Sequence, residues 1–413
     1  MSMIDKQQLC RRLAQQNEKK IVLISIDGVG GIHTEEQPQT ELERANTPQL
    51  DALAQRSACG RTLPTGWAVT PGSGPGHLSL FGYDPLDPRY DIGRGVLESL
   101  GIDFDVQPDD VCARGNFCSL GADGLISDRR AGRIPTEECL RICEKLQAAI
   151  GEIDGVPVFV RPVKDYRFCV IFRSEKMTPH LRDTDPQQVG KAILPLAPLE
   201  SHADCEATKA SAAILQQFVG RALELIKDEE RANGLTLRGI SRKPEVNTLQ
   251  DLHQLDPCCL ATYPLYRGVA KLVGMKVVLG PATIGDTFDA LEEQWHNHNF
   301  FFIHIKPTDA AGEDGDSAKK IAVLEEVDTM IPRLLALEPD AIVITGDHST
   351  PPIMKAHSYH PVPVLVWGPH CDPDDVAAFG EMACNHGRLL NIPATELMPL
   401  ALANADKLIK YGA

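Results

Sequence analysis

The chain reads as an α/β protein: a mostly parallel sheet flanked by helices, with a smaller α/β domain inserted into it. Three observations predict this. Ile21 to Ile26 and Ala341 to Thr345 are short, β-branched apolar runs without strict alternation, as strands buried on both faces of a parallel sheet require. Each run breaks at an acid followed by small or polar residues, Asp27 in one case and Asp347 in the other. Metal-ligand residue types gather at the two ends of the chain and not in the middle, so one sheet must be assembled from both ends around an insertion.

The elements follow in order. Ile21–Ile26 is the first strand, and Thr47 with Pro48 forms an N-cap and N1 pair opening a helix to about Arg56. Glycines 72, 74 and 76 and prolines 71 and 75 predict a tight turn, with His77 to Phe81 as the opening of a helix and Ser73 at or just before its N-terminus. The insert is expected to span 112–245, leaving 1–111 and 246–413 as the core. Within it, Thr136 to Ile150 reads as an amphipathic helix with Leu140, Cys143, Leu146 and Ile150 on one stripe. Val158 to Val160 and Phe168 to Phe172 read as short strands, and Cys205 to Glu230 as a long helix. The polar, Pro-rich stretch from Lys176 to Ala203 reads as loop.

Four places carry chemistry. They are Asp27 in IDGVGG, Asp309 and Glu313 in KPTDAAGEDGD, Asp347 and His348 in GDHSTPP, and His357 in HSYHPV. Carboxylate and imidazole suit hard to borderline divalent metals, and the carboxyl ends of strands in open α/β sheets are where ligands bind. Alone, Asp27 reads as a turn cap and His348 as a surface histidine. Together the clusters predict a two-metal site. Ser73 gains a role beside it, because a bound divalent ion lowers the pKa of a hydroxyl and a helix N-terminus attracts an anion. The plainer alternative is an ordinary N-cap serine in a glycine-rich loop.

The ordered motifs IDGVGG, ANTPQLDALA, PGSGPGHLSLFGYDP, GRGVLESLG, ARGNFCSL, DRRAGRI, KPTD, GDHSTP and HSYHPVPVL resemble those of the archaeal-type, cofactor-independent phosphoglycerate mutases, within the alkaline phosphatase superfamily. The resemblance runs over nearly the whole chain. It implies an alkaline-phosphatase-like core and a substrate-binding cap domain. It also implies interconversion of 3-phosphoglycerate and 2-phosphoglycerate in glycolysis and gluconeogenesis, without 2,3-bisphosphoglycerate. Ser73 matches the transiently phosphorylated serine and a ligand beside it. Asp27, Asp347 and His348 match ligands of the metal on the nucleophile side, and Asp309 and His357 match ligands of the second. One position departs: the family's pattern reads AGHDG where this chain has AGEDG, so Glu313 replaces a histidine ligand. That makes the second site harder and more negative, favouring Mn²⁺, with Mg²⁺, Co²⁺ or Zn²⁺ as alternatives.

Phosphate chemistry also needs positive charge. Arg114, Arg129, Arg130 and Arg133 lie in two Gly-rich segments that match the family's substrate-binding region, with Asp128 placed to accept from substrate hydroxyls. Arg94 and Arg238 are further candidates for binding substrate. Lys306, three residues before Asp309, is expected to act with Arg130 and Ser73 in catalysis.

Composition bounds the rest. The 413 residues are 43% hydrophobic and 24% charged, ordinary for two globular domains, and the net charge of −16 argues against a nucleic-acid or anionic-membrane partner. No apolar run approaches a membrane span, and the start lacks the apolar core of a signal peptide. Twelve scattered cysteines without a CxxC pair predict free thiols in a reducing cytoplasm. Two alternatives to the mutase remain: a phosphomonoesterase of the same superfamily acting on another small phosphorylated metabolite, and a metal-impaired binding protein suggested by Glu313.

Overall fold

Eight strands form one sheet: the central ones are apolar on both faces and end at glycine, proline or polar residues, while the two edge strands are short and partly exposed. The structure, a computed structural model, describes residues 6–412. Its strands in chain order are β1 (Ile21–Ile26), β2 (Ala58–Leu63), β3 (Asp110–Leu120), β4 (Ile126–Asp128), β5 (Glu152–Ile153), β6 (Val156–Lys164) and β7 (Arg167–Arg173). They continue with β8 (Gly234–Arg242), β9 (Pro257–Ala261), β10 (Lys276–Val277), β11 (Phe300–Ile305), β12 (Ala341–Thr345), β13 (Val362–Trp367) and β14 (Leu390–Pro393). The chain divides into two compact units, Met1–Asp91 with Val246–Ala413, and Ile92–Glu245.

In the first unit the strand order is β10-β9-β11-β1-β12-β13-β2-β14, and only β13 runs against its neighbours. Every residue of β1, β9, β11 and β12 is buried. Val22, Ile24, Phe301 and Ile303 pack with Ile284, Phe288, Leu324 and Ile331 from the helices Ile284–Gln294 and Ser317–Ala336. Burying such side chains stabilises by about 1.5–3 kcal/mol each before entropy is counted. The parallel strands β9, β11, β1 and β12 all end on one edge, which places Tyr263, Lys306, Asp27 and Asp347 together just beyond them.

The second unit is an antiparallel sheet, β4-β3-β7-β6-β5, with β8 paired to β3. The helices Thr136–Ala149 and Glu206–Ile226 bury Cys139, Ile142, Leu146, Leu215 and Phe218 against Phe117, Phe168 and Phe172.

Three sequence expectations need correction. The insert begins at Ile92, not Cys112, because the helix Arg94–Gly101 belongs to it: a Cβ on Gly95 would stand 2.4 Å from the Cys112 carbonyl oxygen. Leu140 is exposed, whereas Cys143, Leu146 and Ile150 are buried as expected, and Cys139 and Ile142 complete the stripe in its place. The helix expected to open at His77 starts four residues earlier, at Ser73, which stands at its N-terminus as expected; Pro75 in the first turn gives up an N–H that has no helical partner anyway. Among the described residues, no helix is long and apolar enough to cross a membrane. All twelve cysteines are free.

Candidate metal and nucleophile site

The carboxyl edge of β1, β11 and β12 gathers the acids and histidines into two overlapping groups. Asp27, Asp347 and His348 form one, all buried; Asp309, His348 and His357 form the other. His348 belongs to both. Its Nε2 lies 3.4 Å from Asp27 Oδ1 and 3.1 Å from Asp347 Oδ2, while His357 Nε2 lies 3.5 Å from Asp309 Oδ1. The two imidazoles stack, centroids 3.6 Å apart. Helix Pro307–Asp314 supplies Asp309, and Asp27 and Asp347 follow strands directly.

The donor set fits divalent cations on an observation independent of any relative. Asp27 Oδ1 and Asp347 Oδ2 are buried and accept no well-aligned hydrogen bond, facing only ring nitrogens at 3.1 to 3.4 Å, an expensive state for carboxylate oxygens that a divalent cation seated against them would relieve. Burial and the Asp347 charge oppose ionisation of Asp27, yet Lys306, His304 and His348 hold its pKa down to about 2. Burial would depress His348, but Asp347, Asp27 and Asp309 raise it to about 9. A proton on His348 thus offsets the crowded carboxylates. A divalent ion would do the same and leave the imidazole neutral as a ligand.

Ser73 is the first residue of its helix, with Gly72 as N-cap. Its Oγ lies 3.5 Å from His348 Nε2, and the Tyr266 hydroxyl donates to it at 3.4 Å. Glycine is required nearby: a Cβ at Gly76 would stand 2.4 Å from the Asp347 carbonyl oxygen, so the helix could not approach the acid loop. Lys306 Nζ bonds Asp309 Oδ2 and lies 3.2 Å from Asp27 Oδ2. Burial works against its charge, but Asp27, Tyr266 and Asp309 hold the ammonium well above the ordinary lysine value.

Several residues at this site escaped the sequence reading. His77 Nδ1 lies 3.2 Å from Asp347 Oδ2, and His304 Nε2 lies 3.1 Å from Asp27 Oδ2. Tyr266 stacks on His304 at 3.7 Å, and burial pushes its phenol pKa well up, so it stays a donor. A polar residue inside an apolar strand, as in FFIHI, was the available signal for His304. Glu313 stands at the margin, its side chain 54% exposed and Oε1 3.9 Å from His357 Nε2.

The arginines lie in the second unit, where they form their own constellation. Arg114 and Arg238 are opposite each other across β3 and β8. Asp185 Oδ2 accepts from Arg129 Nη2 at 2.9 Å and lies 3.5 Å from Arg238 Nη1. Arg114 pairs with Glu98 at 3.1 Å, and the Arg94 backbone lies against Gly239, where a Cβ would stand 2.6 Å from its nitrogen. Asp128 accepts from the N–H groups of Arg130 and Gly132, holding Ala131, Gly132 and Arg133 with φ of 47°, 63° and 53°. The two non-glycine departures that flank Gly132, at Ala131 and Arg133, are strained backbone, of the kind found at ligand clamps. Arg130 and Arg133 are exposed.

A buried parallel edge carrying two acid–histidine groups around one serine defines a metalloenzyme, and a profile of the metalloenzyme superfamily matches residues 19–404. The chain is 46% identical over 409 residues to a probable 2,3-bisphosphoglycerate-independent phosphoglycerate mutase of Aquifex aeolicus, covering 97% of this chain and 98% of the relative. It is 46% identical over 407 residues to the protein of the same name in Thermus thermophilus, covering 98% of each. A solved protein of Pyrococcus horikoshii superposes with TM-score 0.80 at 28% identity, covering 96% of this chain and 100% of that one. The cofactor-independent phosphoglycerate mutase of Thermoplasma acidophilum shares the fold, with TM-score 0.67 at 24% identity over 94% of this chain and 100% of that one. The chain belongs to the 2,3-bisphosphoglycerate-independent phosphoglycerate mutase family of the metalloenzyme superfamily.

Proposed function

We propose that the protein interconverts 3-phosphoglycerate and 2-phosphoglycerate through a phosphoserine at Ser73, in the cytoplasm and without 2,3-bisphosphoglycerate. The observation that carries the reading is Ser73 Oγ within 3.5 Å of a buried histidine shared by two metal-ligand groups, in a chain of this family. Asp27, Asp347 and His348, with Ser73 beside them, would hold one divalent ion; Asp309 and His357, with Glu313 at the rim, would hold another, Mn²⁺ preferred. Such ions supply Lewis-acid stabilisation of phosphoryl oxygens and lower the pKa of the serine hydroxyl.

The chain's own residues do the rest. Ser73 Oγ gives up its proton and attacks phosphorus; the P–O bond to the substrate breaks, and the departing glycerate oxygen takes up a proton to become a hydroxyl. Tyr266 donates to Ser73 Oγ and orients it. Lys306 offers a fixed positive charge for phosphate or carboxylate. Arg94, Arg114, Arg129, Arg130, Arg133 and Arg238, with Asp128, would hold the glycerate so that its other hydroxyl takes the phosphate back. The test is an enolase-coupled assay with 3-phosphoglycerate beside a phosphate-release assay, on the unmodified chain and Ser73→Ala. Transfer should exceed release in the first and fall on the order of 10³-fold or more in the second. Phosphate release without 2-phosphoglycerate would make the protein a phosphatase instead.

A further inference from the structure

Thr350, two residues beyond His348, joins both metal-ligand groups through one hydroxyl. Its Oγ1 donates to Asp309 Oδ1 at 2.7 Å and receives His348 Nδ1 at 3.0 Å. A carboxylate oxygen can only accept, so the single hydroxyl proton goes to Asp309 and the imidazole must supply the other bond. That assigns a proton to Nδ1 of His348 in either charge state, so that when an ion neutralises the ring it is the Nε2 lone pair that faces Asp27, Asp347 and Ser73. It is the tautomer a ligand at Nε2 needs.

Thr350 is itself held from beneath. Lys320 is wholly buried, and its Nζ donates to the carbonyl oxygens of Gly28 at 2.8 Å, Gly30 at 3.1 Å and Thr350 at 3.0 Å. An ammonium has three protons, and all three are spent on the loop after Asp27 and the loop after His348. The Thr350 N–H returns a bond to the Gly30 oxygen at 3.1 Å. The hydroxyl has no room to wander: a Cβ at Gly28, whose φ is +64°, would stand 2.5 Å from Thr350 Oγ1, and one at Gly312 would stand 2.3 Å from the Thr350 oxygen.

We infer that Thr350 is a positioning residue that couples the two metal-ligand groups, with Lys320 as the clamp that fixes it. The inference rests on the two-metal reading. Removing the hydroxyl frees Asp309 Oδ1 and His348 Nδ1 in one stroke, so both ions should lose affinity together. A residue serving one ligand would weaken only one.

Calorimetric titration with Mn²⁺ and with Mg²⁺ tests this on the unmodified chain, Thr350→Val, Thr350→Ala and Thr350→Ser, each checked for folding by circular dichroism. Valine keeps the shape and loses the hydroxyl; alanine serves if valine fails to fold, having no second methyl to clash. Both ions should bind roughly 10- to 100-fold more weakly in the valine or alanine variant, and serine should restore binding. Unchanged affinities, or weakening of one ion alone, overturn the coupling. So does failure of serine to rescue. If the unmodified chain binds fewer than two ions, it is the two-metal reading that fails.

Discussion

Nδ1 of His77 lies 3.2 Å from Oδ2 of Asp347, with both side chains wholly buried. The same nitrogen lies 2.8 Å from the Ser73 carbonyl oxygen, four residues back in the helix Ser73–Leu80. Both neighbours are acceptors, so Nδ1 carries the proton; the Ser73 carbonyl oxygen receives it, and the ring's N–H side faces the Asp347 carboxylate from the helix that bears Ser73. His77→Gln, which cannot place a ring nitrogen there, should weaken the ion held by Asp27 and Asp347 by about 10- to 100-fold and lower turnover with it. The ion beside Asp309 and His357 should be little affected. Equal weakening of both ions in a Mn²⁺ titration would show that His77 supports the fold rather than the acid.

How much of this was legible follows from chemistry. Asp27, Asp347, His348 and Asp309 stood out because acids at the ends of buried runs are costly without a purpose. The supporting groups did not. His77 looks like a helix residue, Lys320 like one of several helix lysines, and Thr350 like a turn threonine, since each acts through contacts that only the tertiary fold creates. Ser73 was legible from the glycines around it, and one of them, Gly76, is required by the close approach of the Asp347 loop. The insert boundary was missed because the Arg94–Gly101 helix carries no sign of which sheet it joins.

Asp185 Oδ2 stands between Arg129 and Arg238, at 2.9 and 3.5 Å. If these guanidinium groups grip the glycerate, Asp185→Asn should loosen both while keeping the side chain's shape. A charge-assisted contact is worth roughly 1.5–3 kcal/mol, so kcat/KM should fall about 10- to 100-fold. The balance of products should also move from 2-phosphoglycerate toward free phosphate. A fall in kcat/KM with no change in that ratio would remove these arginines from the grip on the dephosphorylated intermediate.

His253 is buried away from the metal-ligand groups, and neither ring nitrogen has a hydrogen-bond partner. Burial alone takes its pKa from 6.5 down to about 4. Below pH 6.5 the unfolded chain binds a proton there and the folded chain does not, so stability falls as the pH drops from 6.5 to 4. Above 6.5 the contribution is complete. The loss amounts to about 3 kcal/mol over that window. Urea unfolding of the unmodified chain and His253→Gln between pH 7 and pH 4.5 measures it. The variant's stability should depend less steeply on pH; parallel curves would mean that His253 is hydrated in the folded state.

Glu313 follows Asp309 by four residues in the helix Pro307–Asp314, so both carboxylates share a face. Oε1 of Glu313 and Oδ1 of Asp309 lie 3.9 and 3.5 Å from His357 Nε2. The difference between them is exposure: Asp309 is buried, whereas the Glu313 side chain is 54% open to solvent. An acid reaching in from water gives a hard and adjustable ligand, which suits Mn²⁺ or Mg²⁺ better than Zn²⁺. Glu313→Ala should therefore weaken the ion beside Asp309 and His357 by roughly 10-fold and spare the one beside Asp27 and Asp347. Glu313→His, with an imidazole in its place, should shift preference toward Zn²⁺ or Co²⁺ without unfolding the chain, because the position is exposed and little packing is lost. Competition titrations of Mn²⁺ against Zn²⁺ on the three proteins decide it. If the alanine variant holds two ions at unchanged affinity, Glu313 faces water and the metal preference must come from Asp309 and His357 alone.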